Sequence, residues 1–134
     1  MYHVCKEINF CYGHRLLNYN GPCAHPHGHN GKVEVHLSGS HLDSCDILFD
    51  FSKIREMVKN WIDQNLDHRM ILKKEDPLVK ILQDLNEPVY ILNKNPTAET
   101  IAELIYNYCV SQKLPVEEIR LWETPSSYAA YREN

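Results

Sequence analysis

No apolar run in the chain approaches the ~18 residues that a membrane-spanning helix needs. The opening, MYHVCKEINF, lacks the basic start and apolar stretch of a secretory signal, so the expected location is the cytoplasm. Positive charge is not in excess either: 14 basic against 18 acidic side chains leave a formal net charge of −4. That balance argues against a nucleic-acid coat, because sequence-independent phosphate binding needs a basic surface. The cysteines number five, at irregular spacing, which argues against a disulfide framework and for a reducing compartment. Internal repeats, low-complexity tracts and linkers are absent, so the chain is read as one domain, 1–134. The 43% apolar and 24% charged composition is that of a folded globular protein. Set against these absences are eight histidines, four of them (His14, His25, His27, His29) within sixteen residues.

Hydrophobic periodicity divides the chain into a few elements. From Tyr2 to Tyr12 the even positions are apolar or aromatic except Lys6, which predicts a strand with one buried face. Residues 18–26, rich in Gly, Pro and Asn, read as a loop. A second strand is predicted from about Gly31, where Val33, Val35 and Leu37 alternate with polar residues. Ile54, Met57, Val58, Trp61, Ile62 and Leu66 fall at helical offsets over about 51–66. A weaker amphipathic piece spans 77–85, with Pro77 in its first turn. A further helix begins at Pro96-Thr97, with Thr97 as N-cap and Ile101, Leu104, Ile105 and Tyr108 as its buried stripe. Strands at 116–123 and 127–132 close the chain. The order predicts an α+β fold, a four-stranded antiparallel sheet with helices on one face. Its two open edges make pairing between subunits, and hence a homo-oligomer, a physical expectation.

The chemistry concentrates around His27-Gly28-His29. In an extended chain residues i and i+2 share a side, so both imidazoles can converge on one ion, and three imidazoles leave zinc an open fourth position. The third ligand is His14 or His25. Imidazole sites also accept copper, nickel or iron. Cys23, four residues before His27, stands beside these candidates, where a cation would favour thiolate as a base or as a further ligand. Asp67-His68 offers an aspartate that orients an imidazole for proton transfer, or a pair that merely decorates a helix end. Glu123 shares the apolar parity of Ile119 and Leu121 and so needs a partner, either a basic side chain or a ligand edge with two parallel N–H groups.

Taken together, Phe10-Cys-Tyr-Gly-His14-Arg-Leu, Cys23-Ala-His-Pro-His27-Gly-His29, Ile47-Leu-Phe-Asp50-Phe51, Leu66-Asp67-His68, Asn95-Pro-Thr97-Ala-Glu99 and Trp122-Glu123-Thr124 resemble the 6-pyruvoyl-tetrahydropterin synthase / 6-carboxytetrahydropterin synthase family. The resemblance implies zinc held by His14, His27 and His29, Cys23 as general base, and Asp67 and His68 in proton transfer. It implies Glu123 in that relay and as the pterin anchor, with Thr97 and Glu99 lining the pterin pocket. It further implies a tunnelling fold in which subunits join sheets into a barrel, usually a hexamer with active sites between subunits. The implied substrate is 7,8-dihydroneopterin triphosphate. The three-residue gap between Cys23 and His27 resembles the bacterial carboxy-forming enzymes of queuosine and deazapurine synthesis, which release acetaldehyde and triphosphate. A pyruvoyl-type lyase and a non-catalytic zinc or pterin binder on the same scaffold are the alternatives. Tyr12-Gly13 in place of a small Ala-Ala pair, and the inserted 77–85 helix, are this chain's departures.

Overall fold

A computed structural model describes residues 1–134, in a mixed sheet of six strands and three helices. Strands β1 (Tyr2–His14) and β2 (His27–Gly39) form an antiparallel hairpin paired from Tyr2 opposite Gly39 to His14 opposite His27. β2 thus begins at His27 rather than near Gly31, and the His-Gly-His triplet lies inside the ladder. The period-2 alternation puts Ile8, Phe10 and Tyr12 of β1 on the same buried face as Val33, Val35 and Leu37 of β2. A one-residue slip would turn that whole face to water, where each large apolar side chain forfeits about 1.5–3 kcal/mol.

Helix α1 (51–65) starts at Asp50, whose carboxylate accepts from the Ser52 N–H at 2.9 Å. Its fully buried residues are Ile54, Val58 and Ile62, followed by Leu66, a strict spacing of four that overshoots a 3.6-residue turn. The π segment Arg55–Lys59 widens the turn locally, which keeps all four side chains on the sheet.

The sheet differs from the four-stranded antiparallel one expected, because two further strands extend it in parallel. β3 (Arg69–Lys73) runs parallel beside β1, and β4 (Val89–Leu92) runs parallel beside β3. Helix α2 (Leu78–Asp84) lies between them in the chain, as a parallel crossover requires. Ile71 and Leu72 are adjacent and both fully buried, so β3 reads as a continuous apolar run without alternation. Helix α3 (Ala98–Ser111) packs Ile101, Ala102, Ile105 and Cys109 into the core and leads to the hairpin β5 (Val116–Thr124) and β6 (Ser127–Tyr131). The strand order is β4-β3-β1-β2-β5-β6. Its consequence is that the ends of β1, β2 and β5 meet the start of α3.

Candidate active site

His14 ends β1 directly opposite His27, and Tyr12 lies opposite His29, so the hairpin register alone puts all four rings on one face. One nitrogen from each of His14, His27 and His29 lies within 4.8 Å of the others. Gly28 separates the two β2 imidazoles but faces the other side of the strand. A Cβ there would stand 3.1 Å from the Tyr12 carbonyl oxygen, so glycine allows β1 and β2 to stay close between the ligands.

Two of the rings have their second nitrogen already committed. His14 Nδ1 donates to the Pro96 carbonyl at 2.6 Å, and His27 Nδ1 donates to the His25 carbonyl at 2.8 Å. Such outer contacts fix the tautomer and leave Nε2 free as a ligand atom. Burial pushes the His14 imidazole down in pKa, against the opposing pull of the Pro96 carbonyl and Glu123, so at neutral pH the ring is uncharged. Glu123, at the end of β5, places Oε2 3.4 Å from His14 Nε2 and 3.3 Å from His29 Nε2, while these two nitrogens are 3.2 Å apart. A proton on His29 satisfies one of those contacts, whereas a cation satisfies all of them. Ligands about 2.0–2.1 Å from zinc at tetrahedral angles stand about 3.3–3.4 Å from one another, close to the His14–His29 spacing of 3.2 Å, with the His27 nitrogen within 4.8 Å of both. The donor set therefore fits a zinc-like ion.

His68 sits at the turn from α1 into β3, with φ of 58° and its backbone N–H bonded to the Cys11 carbonyl at 2.7 Å. Its Nδ1 meets Asp67 Oδ2 at 2.7 Å, and Asp67 Oδ1 accepts the Cys11 N–H at 2.9 Å. Partial burial pushes the Asp67 carboxyl up, but the Cys11 and His68 bonds outweigh it and hold the group below the usual carboxylate range. Asp67 is thus an ionised orienting group, and the His68 ring is exposed. His68 shares an open cleft of about 720 Å³ with His27, His29, Asn30 and Arg69.

Of the residues expected at the site, His14, His27, His29 and Glu123 come together, and Asp67 with His68 occupies the adjoining cleft. His25 contributes its backbone carbonyl to His27, and the imidazole that joins His27 and His29 in the cluster is that of His14. Thr97 caps α3 by accepting the Thr100 N–H at 3.1 Å, and its neighbour Pro96 carries the carbonyl that holds His14. Glu99 is exposed in the first turn of α3. Cys23 is half-buried in a short turn (Pro22–Ala24), its carbonyl accepting the Leu16 N–H at 2.9 Å, and its thiol is not joined to the imidazoles within this chain. Among the nearby basic residues, Arg15 is locked to the buried Asp76 and Lys32 pairs with Glu7, which leaves Arg69 in the cleft.

Sequence reasoning missed two contributors. Tyr12 is 3% exposed, packs edge-on against His14, and donates its hydroxyl to Glu123 Oε2 at 3.5 Å. Burial first, and then the Glu123 charge, push its phenol far above the ordinary range, so it remains a donor. The parity of Tyr12 with His14 was the available signal. Asn95 grips the backbone of Leu17 through two bonds of 2.9 Å, tying the loop after β1 to the start of α3.

Three comparisons bear on this arrangement. The family described as 6-pyruvoyl tetrahydropterin synthase matches residues 3–134. A 6-carboxy-5,6,7,8-tetrahydropterin synthase of Rickettsia bellii is 35% identical over 130 residues, covering 92% of this chain and 94% of the relative. Among solved structures, an uncharacterised protein of Wolinella succinogenes superposes with a TM-score of 0.82 at 28% identity, covering 99% of this chain and 98% of that one. The Caenorhabditis elegans 6-pyruvoyl tetrahydropterin synthase shares the fold, with a TM-score of 0.74 at 19% identity, covering 99% and 96%.

Proposed function

Because the chain belongs to the 6-pyruvoyl tetrahydropterin synthase family, we propose that it is a zinc-dependent lyase converting 7,8-dihydroneopterin triphosphate and one water to 6-carboxytetrahydropterin, with acetaldehyde and triphosphate released. The observation that carries the reading is the convergence of His14, His27 and His29 beside Glu123, with two imidazoles pinned through Nδ1 to backbone carbonyls. The carboxy product is favoured by relatives bearing that name and by the three-residue gap between Cys23 and His27.

His14, His27 and His29 hold the zinc, which when bound acts as a Lewis acid toward the substrate's side-chain hydroxyls. Glu123 anchors the pterin through paired N–H contacts, and the Tyr12 hydroxyl fixes which carboxylate oxygen stays turned inward. Cys23 takes a proton from the side-chain carbon, on a loop that leads directly into the metal ligands. His68 passes protons at Nε2, because Asp67 engages its Nδ1 and sets the tautomer. Thr97 and Glu99 line the pterin pocket at the α3 N-terminus. Queuosine or deazapurine synthesis is the setting in which such a product is used. Incubating zinc-loaded protein with dihydroneopterin triphosphate, followed by mass analysis, should yield the carboxy product with equimolar acetaldehyde. A pyruvoyl product without acetaldehyde would move the chain to the other branch, and intact substrate would make it a binding module.

A further inference from the structure

A second group of ligand-type side chains lies on the opposite face of the sheet. Cys5 and His36 are direct cross-strand partners in the β1–β2 ladder, and Glu34 projects from the same side of β2 two residues away. His14 lies nine positions along β1 from Cys5, roughly 30 Å at strand rise, so the two groups are independent. His36 Nε2 stands 2.8 Å from Glu34 Oε1 and 3.7 Å from Cys5 Sγ. The three ligand atoms lie within 4.8 Å of one another.

Both polar members are oriented from behind. The other ring nitrogen of His36 is 2.9 Å from His3 Nε2, and the other oxygen of Glu34 accepts the Trp122 indole N–H. What remains uncommitted from outside is Nε2, Oε1 and Sγ, facing one point. His36 is 8% exposed and the Glu34 side chain 12%, on a strand face that is otherwise polar. An imidazole nitrogen and a thiolate sulfur bound tetrahedrally to zinc, at about 2.0–2.1 and 2.3 Å, stand about 3.6 Å apart, close to the His36–Cys5 spacing. Arg120 approaches Glu34 Oε1 at 3.8 Å but is held by Glu118 at 2.7 Å, which limits its repulsion of an ion. A surface hollow lined by His3, His36, Glu118 and Arg120 gives entry from solvent.

We propose that Cys5, Glu34 and His36 form a second cation site, mixed thiolate, carboxylate and imidazole, for a thiophilic divalent ion such as zinc. The fourth position is open to water. The alternative is a plain His36–Glu34 ion pair with Cys5 a bystander, and cobalt(II) distinguishes the two because a cobalt–thiolate bond gives a near-ultraviolet charge-transfer band. Titrating cobalt(II) into the full chain should give about two equivalents of uptake, and Cys5→Ser should remove the band and weaken one equivalent by more than the roughly 10–100-fold that loss of an outer hydrogen-bond partner costs. His36→Gln should do the same, with far-ultraviolet circular dichroism confirming that both variants are folded. His27→Ala should lose the other equivalent and keep the band, which separates this site from the three-imidazole one. Uptake of a single equivalent that vanishes in His27→Ala would overturn the proposal, as would a band that survives Cys5→Ser and disappears in Cys23→Ser.

Discussion

His14→Ala and His25→Ala remove imidazoles eleven positions apart on the same hairpin, yet their expected effects differ sharply. His14 supplies a ring nitrogen to the cluster, whereas His25 supplies its backbone carbonyl to His27. Zinc content by elemental analysis should fall by about one equivalent in His14→Ala and be retained in His25→Ala; loss confined to the His25 variant would reverse the ligand assignment. Asp67→Asn keeps the side-chain shape and zinc but replaces the carboxylate that sets the His68 tautomer. Its kcat should fall by about 10²–10⁴-fold, the usual worth of a positioned acid–base group, with unchanged metal content. A kcat within about threefold of the parent would remove His68 from the proton relay. Much at this scale was legible: spacing in the sequence put His27 and His29 on one side of a strand and marked Glu123 as an apolar-parity carboxylate. Tyr12 was not legible as a site residue, because an aromatic at a core-parity position reads as packing until its hydroxyl is seen beside Glu123.

The elements were legible where periodicity was long. α1, α3, β1 and β5 carry stripes that only one secondary structure can bury. β3 and β4 were not, since Met70-Ile71-Leu72 and Val89–Leu92 are short unbroken apolar runs, which suit a buried parallel strand and a helix segment equally. Arg15 and Asp76 are sixty-one residues apart and no local pattern links them, yet they join the loop after β1 to the segment before α2. Asp76 has a fully buried side chain, and its carboxyl is held below the usual range chiefly by the Arg15 bond, against burial. A depressed native pKa means stability that is complete above the unfolded value of about 3.9 and lost as pH falls through the native value. Asp76→Asn should therefore cost about 3–5 kcal/mol near pH 7 and less near pH 2.5, which lies below the unfolded value, by urea unfolding. An equal loss at both pH values would show that the ion pair is not what the carboxylate supplies.

For the molecule as a whole, the sheet ends in β4 and β6, and each edge exposes a large apolar side chain, Ile91 at 42% and Tyr128 at 47%. Uncovered edges of this kind are sites of strand addition, and closure into a ring of identical subunits removes them. Light scattering on purified protein should give a multiple of the 15.7 kDa chain mass, with a hexamer expected from the family resemblance. A stable monomer would leave Cys23 without a neighbouring subunit to complete its surroundings. Net charge and composition excluded whole classes of function but say nothing of assembly; patterning found the β6 edge and missed the β4 edge, because β4 is a short apolar run without alternation.

The three-imidazole assignment is tested most directly by where an ion binds. Diffraction from zinc-loaded crystals at the zinc absorption edge should show an anomalous peak bonded to Nε2 of His14, His27 and His29. A map without density there, or with those rings turned away from a peak elsewhere, would contradict it.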